Sequence, residues 1–433
     1  MDSVEELCSR LVRIDTTNYG GGRSAGEREA GELVATVLSA AGLDPKVLER
    51  TSRRSNVVAR VSGSDPGLPP LLVQGHLDVV PADPEQWSRD PFSGEIADGF
   101  VWGRGATDMK DFVAMVLTVL RDWSASDRRP RRDIVLAFVA DEEDSGADGA
   151  EWLVEEHPGL FEGCGATISE SGGYTYHVRH ASGAPVRLYP VGTAERGTSH
   201  LRLTASGRAG HGSRRNDDNA VVKLVRALDR LASYEWPVRL TPAVTAFLER
   251  TGEALGVAVD LSNVDGTLAR LGKAAPLVEN TVRNSTRPTV LKAGYKVNVI
   301  PSTAIAEVDT RTLPGTEAEL LSTVDSLLGP GVEREFVARM PAIQAPVDSP
   351  WFDAMAAAIR SQDPDAVVVP YCMGGGTDAK AFARLGIPGY GFAPLWLPEG
   401  FDYRAMAHGV DERVPVEGLR FGTRVLDAFL SNV

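Results

Sequence analysis

The first half of the chain alternates short, unbroken apolar runs with longer stretches whose apolar residues recur every three to four positions. "SNVVARV" (55–61), "LLVQG" (71–75), "DIVLAFVA" (133–140) and "ATIS" (166–169) read as strands buried on both faces. "GEREAGELVATVLSAAG" (26–42) and "DMKDFVAMVLTVLRDW" (108–123) carry helical spacing. Strand and helix in alternation predict an α/β layer with a mostly parallel sheet. Near residue 195 the pattern changes. "TSHLRLTASG" (198–207) alternates apolar and polar residues as a half-exposed strand does, and "NAVVKLVRALDRLASY" (219–234) follows as an amphipathic helix. "YKVNVI" (295–300) and "AIAEVDTRT" (304–312) are two more strands, and from about residue 313 the α/β pattern resumes. The predicted organisation is an α/β domain in two parts, 1–194 and 313–433, interrupted by a smaller α+β insertion at 195–312. The segment 240–295 is too long for a plain connection and holds further helix-like stretches.

Length supports the division, because 433 residues exceed a comfortable single core. A formal net charge of −14 argues against a general nucleic-acid binder. No apolar run is long enough to span a bilayer. The opening "MDSVEELCSRLVRID" is an amphipathic acidic helix pattern rather than a secretory signal. Three cysteines, Cys8, Cys164 and Cys372, are few, odd in number and widely spaced, so they do not make a disulfide framework. The expectation is a cytoplasmic protein with neither a membrane nor a nucleic acid as partner. Cys372 reads as a small packing residue rather than a nucleophile.

Candidate chemistry gathers where the predicted strands end. "GHLDVVPADPEQW" (75–87) follows one of them and places His76 two residues before Asp78, on one side of an extended backbone. Asp78 can then hold one imidazole nitrogen while the other faces a metal, although a solvated turn is the plainer reading of a lone pair. Asp108 in "VWGRGATDMK" stands at a helix entry, where an N-cap is the ordinary role. In "FVADEEDSG", Glu142 and Glu143 follow a buried strand together with Asp141, a concentration of anions that a cation would relieve. "ATISESGG" ends a strand at Glu170, and "AHGVDERVP" puts His408 in a polar loop. Each has a bland explanation. Together, two histidines and four or five carboxylates fit zinc, with cobalt or manganese as alternatives. About five ligands is the number that two metals sharing one carboxylate need.

The run from "GHLDVVPADPEQWSRDPFSGEIADGFVWGRGATDMK" to "FVADEEDSGADGAEWLVEEHP" resembles the dinuclear zinc metallopeptidase family, peptidase family M20. That family includes aminoacylases, acetylornithine deacetylase, succinyl-diaminopimelate desuccinylase, glutamate carboxypeptidase and Gly-Xaa carboxypeptidases. The resemblance implies two Zn2+ per subunit, held by His76, Asp108, Glu143, Glu170 and His408, with Asp108 bridging. It also implies that Asp78 orients His76 and that Glu142 is the general base. His211 in "GRAGHGSR" is similar to a histidine that reaches the partner subunit's active site, which makes the insertion a lid and dimer contact. Asn298 and Arg311 look like contacts to a substrate carboxylate, for which the planar fork of arginine is suited. Gly375, Gly376 and Thr377 in "CMGGGTDAK" are implied as substrate-side contacts. Many relatives read "DMKG" where this chain has Asp111, a carboxylate expected on an exposed helix face.

The implied activity is hydrolysis of the amide bond of N-acyl amino acids or short peptides with a free carboxylate. Glu170, rather than Asp, leans towards the deacylases. The lead-in "EQWSRDPFSGEI" resembles the aminoacylase and Gly-Xaa carboxypeptidase branch, which keeps a dipeptidase as the second reading. A relative that forms or transfers amide bonds, or a non-catalytic binding relative, are the remaining alternatives. Fold and metal site alone do not name a substrate.

Overall fold

The computed structural model describes residues 2–433. The apolar runs form strands at Ser55–Val61, Leu71–His76, Ile134–Val139 and Ala166–Ser169. Leu71, Val73, Ile134, Leu136 and Phe138 enter one core, and Leu72, Val135, Ala137 and Val139 enter another. Burial on both faces explains why these runs are continuous rather than alternating. They belong to a mixed sheet of ten strands. Its main path runs Tyr176–Arg179, Pro185–Glu195, Gly389–Gly391, Ala166–Ser169, Leu71–His76, Ile134–Val139, Ser55–Val61, Lys46–Glu49. The four neighbours from Gly389–Gly391 to Ile134–Val139 are mutually parallel.

Helices Val4–Val12, Arg28–Ala40, Lys110–Ala125, Pro350–Gln362 and Val416–Asn432 cover one face. Lys110–Ala125 lies innermost, and every residue from Lys110 to Leu120 is buried. The expectation for Asp111 is therefore overturned. It is 1% exposed rather than solvated, and neither carboxylate oxygen has a hydrogen-bond partner. Burial pushes its pKa up to about 8. The helix is packed all round, so no exposed face exists at its first turn.

A second, antiparallel sheet has the order Ser285–Ala293, Thr303–Thr312, Gly197–Ser206, Val332–Met340. It has its own core, in which Leu201 and Leu203 meet Leu224 of helix Ala220–Ser233 and Leu320 and Val324 of helix Glu317–Leu328. This unit does not end at 312 as expected. The helix and strand at 317–340 look like a resumed α/β layer in sequence, yet Val332–Met340 pairs with Gly197–Ser206. Nor does the unit contain all of 240–295. Helix Pro242–Leu255 sets Val244, Phe247 and Leu248 against Leu188, Val369 and Tyr371 of the main sheet. Pro185–Glu195 runs into Gly197–Ser206 with only Arg196 between them, so the two sheets share one extended crossing. Among the described residues, no helix is long and apolar enough to cross a membrane.

Candidate metal centre

His76 closes strand Leu71–His76, Glu142 and Glu143 follow Ile134–Val139, and Glu170 follows Ala166–Ser169. Because these strands are adjacent and parallel, their carboxyl ends meet at one edge. Two donor groups result: His76, Asp108 and Glu170, and Asp108, Glu143 and His408. Within each, one donor atom per residue lies within 4.8 Å of the others. Asp108 belongs to both. Its Oδ1 is 3.0 Å from His76 Nε2, and its Oδ2 is 3.3 Å from His408 Nε2. Glu143 Oε2 lies 3.0 Å from His408 Nε2, and Glu170 Oε1 lies 4.0 Å from His76 Nε2. Asp108 caps nothing, since the helix starts at Lys110 and has no side-chain cap.

The residues fit a pair of divalent cations. His76 Nδ1 meets the Asp78 carbonyl at 2.9 Å, which leaves Nε2 as the nitrogen turned to the carboxylates. Glu143 Oε1 is buried with no partner. Burial raises Glu142 and Glu170 well above the carboxylate range, aided by the Glu170 charge on Glu142 and the Asp108 charge on Glu170. Burial pulls His76 down, but the Asp108 hydrogen bond and nearby carboxylate charges outweigh it and hold His76 well above its usual value. Hydrogen bonds to Asp108 and Glu143 hold His408 at about 10. The cluster keeps protons where cations would otherwise balance it.

Three non-glycine residues at the site have left-handed backbone: Asp141 (φ 69°), Ser171 (φ 67°) and His408 (φ 61°). Asp141 precedes Glu142, Ser171 follows Glu170, and His408 is itself a candidate ligand; such conformations cost on the order of 1–3 kcal/mol each. Surrounding bonds fix the first of them. The Asp141 carboxylate accepts from Asn18 Nδ2 (3.1 Å), Arg54 Nη2 (2.9 Å), Ser145 Oγ (3.1 Å) and the Asp148 N–H (3.2 Å).

The expected bond between the Asp78 carboxylate and His76 is not made. Asp78 Oδ1 is 3.6 Å from Nδ1, and its backbone carbonyl takes that nitrogen instead. The carboxylate accepts the N–H groups of Glu142 and Glu143, each at 3.2 Å, and Asn18 Nδ2 at 2.9 Å. Asp78 thus secures the loop of the two glutamates. Glu412 does the same for Asp108 and has no signal in the sequence. It is fully buried and accepts from Arg104 Nη1 (2.6 Å), the Gly105 N–H (3.0 Å) and the Thr107 N–H (2.7 Å). Asn18, Arg54 and Glu412 carry no local motif, and their roles depend on partners up to 308 residues distant.

The other expected residues divide. Gly375 and Gly376 line a cavity of about 470 Å³ together with Asp108, Glu142, Glu143, Glu170 and His408. A second cavity, of about 180 Å³, shares Glu142 and Gly376 with the first and is lined by Arg311, Thr377, Asp378 and Lys380 among others. Thr377 is buried, with its N–H and hydroxyl donating to Glu195 at 2.9 and 2.7 Å, so its donors are already engaged. A Cβ at Gly376 would lie 2.2 Å from Lys380 Nζ, so any side chain there displaces the lysine. Arg311 pairs with Asp309 at 2.7 Å and donates to Thr198 Oγ1 at 3.2 Å. His211 and Asn298 are exposed and line neither cavity. They lie beside one another where Gly210–His211 pairs with Val299–Ile300, and within one chain they do not join the cluster.

The profile of Peptidase family M20/M25/M40 matches residues 72–432. The chain is 30% identical over 432 residues to the N-fatty-acyl-amino acid synthase/hydrolase PM20D1 of Xenopus tropicalis, covering 96% of this chain and 82% of that one. It is 29% identical to human aminoacylase-1, over 85% of this chain and 82% of the relative. Among solved structures, an M20 family metallo-carboxypeptidase, Sso-CP2 of Sulfolobus solfataricus, superposes with a TM-score of 0.73 at 18% identity. That match covers 100% of this chain and 99% of the other. Human carnosine dipeptidase 1 gives 0.66 at 18% identity, over 99% and 95% of the two chains.

Proposed function

The chain belongs to peptidase family M20/M25/M40, and on that premise we propose that it is a two-metal amidohydrolase of N-acyl amino acids. The observation that carries the reading is the pair of donor groups sharing Asp108, with Glu142 on the wall of the same cavity. In this reading His76, Asp108 and Glu170 hold one Zn2+, and Asp108, Glu143 and His408 hold the other. Divalent ions supply Lewis acidity, polarising the scissile carbonyl and acidifying water. Glu142, beside the ligands but in neither donor group, takes the proton from the attacking water and delivers it to the leaving amine. Its buried setting suits this, since a raised carboxylate pKa favours return of the proton.

The free carboxylate of the substrate is assigned to the smaller cavity, where Arg311 and Lys380 supply positive charge. Gly375, Gly376 and the exposed Asn298 are assigned to substrate contact. His211 is assigned to the active site of a partner subunit in a homodimer, because it is exposed and lines neither cavity of its own chain. The names of the curated relatives favour N-acyl amino acids over dipeptides. A reducing cytoplasmic setting is part of this reading.

The test is a screen of N-acyl amino acids and dipeptides against zinc-loaded protein, reading release of free amine. Turnover of N-acyl amino acids above dipeptides is the expected result. Turnover of dipeptides alone would replace the reading with a dipeptidase, and no amide cleavage in metal-replete protein would end it.

A further inference from the structure

Besides the candidate ligands, the larger cavity is lined by Tyr174, Leu277, Tyr371, Met373 and Tyr403, together with the exposed Arg404. Tyr174, Leu277, Tyr371 and Met373 are 4, 5, 7 and 8% exposed, so this wall is packed rather than mobile surface. The Tyr174 and Tyr403 rings lie 4.7 Å apart. Two of the hydroxyls are occupied by backbone: Tyr371 donates to the Ser171 carbonyl, and Tyr403 donates to the Thr107 carbonyl at 3.4 Å. Apart from the Tyr174 hydroxyl, what these side chains leave for a ligand is their ring and aliphatic surface. Arg404, the one cation of this end, is tied by Nη1 to the Pro276 carbonyl at 2.8 Å.

Leu277 comes from the segment for which the sequence offers no role. That segment is fastened at both sides of the cavity. Arg404 holds it to the loop that carries His408, and the Tyr176 hydroxyl donates to the Lys273 carbonyl at 2.8 Å. Its helix Pro242–Leu255 also packs beneath Val369 and Tyr371, on the strand that leads to Met373. The same insertion therefore supplies one wall of the pocket and braces another. Its chemistry contrasts with the smaller cavity across Glu142, where Arg311, Lys380 and several carboxylates stand.

We infer that the pocket between Leu277 and the three tyrosines receives the acyl side of the scissile amide and selects an aromatic or branched apolar acyl group, with Leu277 setting its depth. This rests on the reading of the chain as an N-acyl amino acid hydrolase. The amide lies at Glu142, the carboxylate extends towards Arg311 and Lys380, and the acyl group fills the opposite end. Apolar pockets discriminate by roughly tenfold or more per methylene-sized change.

The test uses the full chain loaded with zinc and compares kcat/KM for the N-acetyl, N-succinyl and N-phenylacetyl derivatives of one amino acid. It also varies the amino acid with the acetyl group fixed. The phenylacetyl compound should exceed the acetyl one by about tenfold or more. Leu277→Trp should lower that ratio by a similar factor, and Leu277→Ala should shift the preference towards larger acyl groups. Because a Leu277 variant can lose its fold, binding of phenylacetate and of acetate to the unmodified protein is measured by calorimetry. Phenylacetate should bind more tightly. A preference for succinyl or acetyl would overturn the inference, as would equal binding of the two acids, a bulk preference that follows the amino acid, or a ratio unmoved in folded Leu277 variants. In each of those cases amide hydrolysis itself stands. Absence of any turnover with all the N-acyl compounds would instead remove the reading beneath it.

Discussion

Glu412 accepts both the backbone N–H and the hydroxyl of Thr107, at 2.7 and 2.9 Å, one residue before Asp108, the candidate ligand common to both donor groups. It lies four residues after His408, so a single buried carboxylate ties together the loops that carry two candidate ligands. Removing it leaves Arg104, which is 3% exposed, without its partner. Glu412→Ala should cost about 3–5 kcal/mol of stability, the range for breaking a buried ion pair. It should also weaken metal binding about 10–100-fold, as loss of a supporting residue does. Denaturant titration and competition with a chromophoric chelator measure the two effects. Unchanged metal affinity in folded Glu412→Ala protein would show that Asp108 is positioned without it.

Glu142→Gln should retain both metals and lose turnover by about 10²–10⁴-fold, because it removes the proton acceptor and leaves the candidate ligands in place. Metal content by elemental analysis is read alongside the rate. Loss of metal in this variant would exchange the roles of Glu142 and Glu143.

Metal loading should release protons. His408 is held at about 10, and Glu142 and Glu170 are raised well above their usual range, so the metal-free cluster is partly protonated near neutrality. A cation competes with those protons, and affinity should therefore rise with pH and fall as the site is acidified. Calorimetric titration of metal-free protein in two buffers of different ionisation enthalpy counts the protons. A result of zero would mean that the donors are already deprotonated.

Asp111→Asn should stabilise the protein in a pH-dependent way. The Asp111 pKa rises from an ordinary 3.8 to about 8 on folding, so the folded state favours the neutral acid. Stability is then greatest below pH about 4 and falls as pH rises towards about 8. Asparagine, which never ionises, escapes that loss. The Tm of the variant should match the parent below pH about 4 and exceed it by a few degrees near pH about 9. Parallel Tm profiles would show that Asp111 is charged and partnered in solution.

Mixing inactive His211→Ala chains with inactive Glu142→Gln chains should restore part of the activity. In a mixed dimer the His211→Ala chain keeps Glu142 and borrows an intact histidine from its partner, while the other site has neither. No recovery in dimers shown to exchange subunits would place His211 in its own chain's site or outside the reaction.

The candidate ligands were legible because strand ends are legible. His76, Glu142, Glu143 and Glu170 each follow a continuous apolar run, and parallel neighbours bring such ends together. Asp108 and His408 lie in loops, where only the order of motifs distinguished them from a cap and a surface histidine. Asp111 was misread because a helix buried on all sides has the same local sequence as one with a wet face. The second unit was cut short at 312 because helix and strand at 317–340 do not declare which sheet they join. Asn18, Arg54 and Glu412 escaped because a buried polar residue is defined by distant partners. His211 is exposed and lines neither cavity, so nothing within one chain joins it to the site.

The two halves of the candidate centre differ in how solvent reaches them. The His76 side chain is 1% exposed, whereas that of His408 is 56% exposed. An ion held by Asp108, Glu143 and His408 would sit beside the exposed histidine, and one held by His76, Asp108 and Glu170 beside the buried one. On the two-metal reading, exchange against an isotope of the same metal should proceed in two phases, the faster at the His408 side. A preparation dialysed without added metal should then drift towards singly loaded molecules, and its specific activity would record its dialysis history rather than its purity.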